Sequence, residues 1–198
     1  MTLSKCTKTL LLGVLLLSSI NSAGAADESA LELQDIFNRA HREYSQKQPA
    51  DSLATLDQAY QLIWTKIPFT VRQVHLLQGP PTQPGQYQPR ADDILKPDEP
   101  LVIYLEPIGF KVRTFENMFS YHLLTDYKLI DAWGRVIHQQ KGFSSLEGRQ
   151  FSFPAHLSMV IGYNFTGLSP GDYQVETTVH DRLGRKSVLF HSTFRIQP

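Results

Sequence analysis

Leu168-Ser169-Pro170-Gly171-Asp172-Tyr173 leads directly into Gln174-Val175-Glu176-Thr177-Thr178-Val179-His180, and after Asp181-Arg182-Leu183-Gly184-Arg185-Lys186 the chain runs out from Ser187 to Ile196. Tyr173, Val175, Thr177 and Val179 occupy every second position, as a strand with one buried face requires, and Val188, Phe190 and Phe194 supply the same face on the return. The turn between them closes an antiparallel hairpin in which His180 faces Ser187. Glu176 then lies opposite His191 on the outer face. Zinc needs three or four ligands, no third is identifiable, and the pair reads as a solvated cross-strand contact.

Working outward, Leu101-Val102-Ile103-Tyr104-Leu105 is a short apolar strand ended by Glu106-Pro107. Met118 to Ile130 is a longer one, with Tyr121, Leu123 and Tyr127 on one face and His122, Leu124 and Lys128 on the other. Val136-Ile137, Phe151 to Phe153 and Ser158 to Phe165 are further candidates. Short strands separated by turn residues suggest a sandwich or barrel. Asp131-Ala132-Trp133-Gly134-Arg135 and Asp181-Arg182-Leu183-Gly184-Arg185 share Asp-x-x-Gly-Arg, so each Asp is expected to bind turn backbone while each Gly takes a positive φ.

The Leu-x-Pro-Gly-x-Tyr pattern at 168–173 resembles the tyrosine corner of immunoglobulin-like and fibronectin type III-like sandwiches. The resemblance covers about 30 residues directly. It implies a tyrosine hydroxyl bonded back to backbone beside the corner, and it implies architecture, not activity. The paired cysteines and packed tryptophan of antibody domains are absent. The expected fold class is α+β, an N-terminal helical hairpin followed by a mainly antiparallel immunoglobulin-like β-sandwich.

Ahead of that region the period changes. Leu33, Phe37, Ala40 and Tyr44, then Leu53, Leu56, Tyr60 and Ile63, recur at helical spacing around a break at 46–50, where Asp51 or Ser52 is placed to cap exposed N–H groups. Ala40, Tyr44, Ala54, Leu56 and Ala59 are arranged in a way similar to one tetratricopeptide-type unit. Such units need about three copies to bury a continuous core, no second copy is found, and packing of the stripes on the neighbouring sheet is the favoured reading. Between residues 78 and 100 lie six of the twelve prolines, which reads as a loop or tether. Its acidic residues lack the spacing of a calcium loop. The expected organisation is a signal peptide at 1–25, a helical hairpin at 26–66, a short strand and proline-rich connection at 67–100, and a β-sandwich domain at 101–198.

The N-terminus carries Lys5 and Lys8, the apolar run 10–17 and the small residues Ala23 and Ala25, the three-part layout of a cleavable export signal, with cleavage expected between Ala25 and Ala26. The apolar run is shorter than the ~20 residues of a bilayer span, so no transmembrane segment is expected in the mature chain. Cleavage removes Cys6, the single cysteine, and leaves 173 of the 198 residues with 17 basic and 19 acidic side chains, a formal charge of −2. No thiol chemistry or disulfide survives, which suggests a bacterial periplasm or secretion. The balanced charge argues against nucleic acid as a partner.

Catalytic patterns are absent from the sequence: no zinc-binding His-Glu-x-x-His, no phosphate loop, no dinucleotide fingerprint. Gly142-Phe143-Ser144-Ser145-Leu146-Glu147-Gly148 has the wrong glycine spacing for a nucleophile elbow and reads as a flexible turn. Catalytic residues, metal ligands and cofactors are therefore not assigned. Trp133 sits in a turn, where an indole stacks on a sugar or anchors a partner; Tyr127 and Phe143 join it as candidate binding residues. The competing and favoured reading folds Trp133 back over the open end of the sandwich. The leading functional expectation is a non-enzymatic binding or accessory module of the cell envelope that contacts another envelope protein or peptide. A carbohydrate-binding module around Trp133 and a hydrolase with residues not identifiable from sequence are the alternatives.

Overall fold

The computed structural model describes residues 21–83 and 85–197, with side chains from Glu28 onward. Lys5, Cys6, Lys8 and the apolar run of the expected export signal lie outside the described residues. The chain divides into two compact units, Met1–Tyr60 and Gln61–Pro198.

The first unit holds α1 (Asn21–Ser45) and most of α2 (Pro49–Lys66). The expected cleavage point, Ala25–Ala26, falls on the backbone of α1. Lys47 turns the chain with a φ of 62°, and Pro49 opens α2, where its missing N–H costs nothing. Asp51 and Ser52 are therefore inside the helix rather than at its cap, and the Ser52 hydroxyl donates to the Ala40 carbonyl at 2.8 Å. Arg39 and Gln58 also hydrogen-bond across the hairpin, so the helices run antiparallel. The seam consists of Ala40, Ser52, Thr55 and Ala59, all buried. Small side chains let two backbones approach closely, which leaves the larger stripe residues beside the seam. Phe37, Tyr44, Leu53, Leu56, Tyr60 and Ile63 are accordingly exposed, contrary to the expectation that the stripes form the packed face.

The second unit is built from β1 (Thr70–Leu77), β2 (Ile94–Leu95), β3 (Leu101–Ile108), β4 (Arg113–Phe115), β5 (Met118–Asp131), β6 (Val136–Gln150), β7 (Met159–Tyr163), β8 (Gly171–Asp181) and β9 (Lys186–Ile196). With the helices this makes the chain α+β. One sheet has the order β1-β3-β7 and is antiparallel throughout. The other runs β2-β9-β8-β5, antiparallel except for the parallel β2–β9 pair, and curls into a half-barrel. A strand has two edges. β6 pairs along Phe119–Ile130 of β5, so β4 at Met118–Ser120 and β8 at Leu123–Asp131 share the opposite edge end to end.

The two sheets enclose one core. Leu101, Ile103 and Leu105 of β3 and Ile161 and Tyr163 of β7 meet Leu123 and Leu129 of β5, Val175 and Val179 of β8, and Phe194 of β9. Alternation was a sound guide here: β8 and β9 pair with His180 opposite Ser187 and Glu176 opposite His191. The Tyr163 hydroxyl shares a hydrogen bond of 2.6 Å with Thr177, and burial pushes its pKa up to about 12.

Four sequence expectations for this unit are corrected. β3 continues past Pro107, because β7 ends opposite Leu105 and leaves that stretch the single neighbour β1, the edge setting in which proline is tolerated. Residues 151–153 form no strand. The supposed turn at Gly142–Gly148 lies within β6; Gly142, at φ 61°, marks a bulge where three residues oppose Asp126 alone. The proline-rich stretch is pinned rather than loose: Gln78 N–H donates to Gln88 O at 2.9 Å and Arg90 N–H to Leu76 O at 2.8 Å. Leu95, in the short strand β2, is buried in the core.

Candidate functional site

Three surfaces of the second unit carry chemistry: an open sheet edge, the loop end around Trp133, and an aromatic cavity.

β6 is 15 residues long and, among the described residues, pairs with β5 alone. Its outer rim therefore offers backbone donors and acceptors to another chain. The bulge at 141–143 and a second irregularity near Ile137 divide it, and the regular part is Ser144–Gln150. Asp126 anchors the bulge by accepting the Gly142 N–H at 2.7 Å and by pairing with His180 at 2.9 Å. Burial alone would raise the Asp126 pKa, but the Gly142 N–H and His180 hold it below the ordinary value. On the same outer face Glu176 meets Lys128 at 2.6 Å and His191 at 3.5 Å, and the Lys128 contact holds its carboxyl low. Every one of these carboxylates has a cationic or N–H partner, and among the described residues no cluster of three metal-binding side chains occurs.

Ser145 Oγ lies 3.2 Å from His122 Nε2, and His122 Nδ1 lies 3.8 Å from Glu147. The order of groups is that of a nucleophile, a base and an orienting carboxylate. The second distance exceeds a hydrogen bond, however, and Glu147 is 73% exposed, so Glu147 does not orient the imidazole here.

The sequence-derived trio separates. Trp133 is 79% exposed, so it does not fold back over the sheet end. The reason is local: Asp131 accepts the N–H groups of Trp133 at 3.0 Å and Arg135 at 2.9 Å, and the Arg135 guanidinium stacks over the indole at 5.0 Å. Trp133 borders a cleft of about 330 Å³ shared with Asp172 and Tyr173. Tyr127, by contrast, is 7% exposed and joins the core aromatics, with its ring 4.8 Å from Phe143 and 5.2 Å from Tyr163. Phe143 stacks on Tyr163 at 5.2 Å. The structure thus brings Tyr127 and Phe143 together and leaves Trp133 apart from them.

The cavity was missed by sequence reasoning. It measures about 520 Å³, and its floor is made by Trp64, Phe110, Phe119 and Phe153. Trp64 Nε1 donates to Phe110 O at 2.8 Å, and the indole meets Phe110 and Phe153 edge to face at 5.1 and 5.4 Å. Lys111 and Lys186 line it as well. The one available signal was a tryptophan at the end of an amphipathic helix followed, 46 residues later, by Gly109-Phe110, and nothing in either segment points to the other.

Among the described residues no helix is long and apolar enough to cross a membrane. No protein-family model matches the chain, and no curated protein matches it. Among solved structures, an alkylpurine DNA glycosylase from Pseudomonas fluorescens, bound to DNA containing an abasic site analog, is 11% identical with a TM-score of 0.36 over 88% of this chain. This chain spans 45% of the glycosylase chain. A superoxide reductase (neelaredoxin) from Ignicoccus hospitalis is 8% identical with a TM-score of 0.32, covering 64% of this chain and 82% of its own. At these scores neither likeness carries a fold family or an activity over to the present chain.

Proposed function

We propose that the chain is an exported, non-enzymatic binding or accessory module of the bacterial cell envelope. Its second unit is an immunoglobulin-like β-sandwich, and its partner is a protein or peptide that adds a strand along β6. The single observation that carries the binding mode is the 15-residue β6, which among the described residues is paired on one edge. Main-chain hydrogen bonds along such an edge supply affinity, while alternate side chains supply specificity. β9 is the weaker candidate, since β2 already covers its end at Arg195–Ile196.

The sandwich reading is supported by strand order and by the corner. β1-β3-β7 facing β6-β5-β8-β9 follows the A-B-E and C-F-G neighbour pattern of that architecture with one strand added beside C. The Tyr173 hydroxyl donates to Ser169 O at 2.8 Å, the bond that a tyrosine corner requires. Export rests on the three-part N-terminus of the sequence.

The test is retention of a protein from envelope extract on the immobilised chain, followed by hydrogen exchange of the complex. Slowed exchange at Ser144–Gln150 supports strand addition. Retention without protection of β6, or no retention, refutes it.

A second reading is favoured by the exposure of Trp133. Its indole, beside the cleft with Asp172 and Tyr173, presents a stacking surface to a sugar ring. Quenching of indole emission by cell-wall glycan fragments, lost in Trp133→Ala, would establish it. No change at millimolar glycan would remove it.

A further inference from the structure

The aromatic cavity of the second unit is independent of β6. We infer that it binds a small amphipathic anion, an apolar aryl or alkyl body carrying a carboxylate.

The argument starts from shape. A volume of about 520 Å³ suits one small molecule rather than a few waters. Trp64 and Phe110 are buried, the indole N–H is already bonded to Phe110 O, and the rings of Trp64, Phe110, Phe119 and Phe153 brace one another edge to face. The floor therefore offers apolar faces and ring edges and little hydrogen bonding, which selects an apolar body.

Charge settles the other end of the ligand. Lys111 and Lys186 are exposed residues of the lining, the lining contains no carboxylate, and among the described residues neither lysine forms an ion pair. Their placement is built in. Asp181 accepts the backbone N–H of Lys111 at 2.7 Å and pairs with Lys186 in the β8–β9 register, so one buried residue sets both cations at the same opening. The Asp181 oxygens are meanwhile engaged by the N–H groups of Lys111, Leu183 and Gly184. Two lysines that line an aromatic cavity and form no ion pair among the described residues complement a carboxylate on an apolar stem.

The chain has two tryptophans, so Trp133→Phe leaves Trp64 as the sole indole reporter. In that background the full chain is titrated with decanoate, with decanol and with inorganic phosphate. Decanoate is expected to shift Trp64 emission with half-saturation below about 1 mM, and decanol to require at least about tenfold more. Phosphate alone should give no shift. The double variant Lys111→Gln/Lys186→Gln should erase the preference for decanoate over decanol. Raising the salt to about 1 M should shrink the same preference in the chain with both lysines intact, a reading that needs no variant fold. No emission change with decanoate, equal half-saturation for decanoate and decanol, a shift with phosphate alone, or a preference that survives the double substitution overturns the inference.

Discussion

Asp181 holds Lys111 by its backbone N–H at 2.7 Å although 70 residues separate them, and the same carboxylate accepts Leu183 N–H at 3.1 Å and Gly184 N–H at 2.9 Å. Asp181 is 1% exposed, so these are bonds that water cannot replace cheaply. Asp181→Ala would leave three donors without a partner, at a cost of about 2–4 kcal/mol. Urea unfolding measures it. A midpoint equal to that of the parent chain would show that the 109–112 loop and the β8–β9 turn are held by something else.

Gly109 has φ +74°, and a Cβ there would stand 2.6 Å from Pro68 O, a backbone atom that cannot swing aside. Gly109→Ala should destabilise by more than about 2 kcal/mol. Gly79 has open space and no positive φ, so Gly79→Ala serves as the control and should fall within about 0.5 kcal/mol of the parent. Equal melting temperatures for the two variants would contradict the packing described at Gly109.

Removing the hydroxyl at the corner isolates one hydrogen bond, since the Tyr173 ring still packs on Phe194 at 5.5 Å. Tyr173→Phe is expected to cost about 1 kcal/mol, seen as a lower chemical-denaturation midpoint with unchanged slope. A gain in stability would remove the corner bond from the account of how β8 begins.

Asp126 sets a pH dependence. Its folded pKa lies below the ordinary value, so its contribution is present in full above the unfolded value and fades as pH falls through the folded one. Below about pH 4 the parent chain should therefore lose stability faster than Asp126→Asn, which has no proton to take up. Thermal melts of both chains from about pH 7 down to pH 3 decide it. Parallel curves would mean that Gly142 and His180 do not favour the charged carboxylate.

Where side chains alternate between water and core, the sequence was a dependable guide. The face assignments of β5, β8 and β9, the register placing Glu176 opposite His191, and the binding of turn backbone by Asp131 and Asp181 all follow from local period and short-range hydrogen bonding. The shared Asp-x-x-Gly-Arg pattern also shows the limit of local reading. Gly134 takes a positive φ of 79° as expected, whereas in the second turn Arg185 takes it, at 55°. Gly184 is needed for space instead, because a Cβ would stand 2.0 Å from the Asp181 carboxylate.

What the sequence determined by itself was the helical class of the first segment, the extended class of the later one and the inward faces of β5, β8 and β9, because those depend on periodicity and on residues two to four apart. Tertiary structure alone decided that β6 lies at an open edge, that Trp133 stays outside while Tyr127 and Phe143 go in, and that Trp64 meets Phe110, 46 residues away, over a cavity flanked by two lysines. Those outcomes depend on which distant backbone segments come together. Such long-range pairing is specified by the summed packing of many residues, so no single motif in the chain announces it.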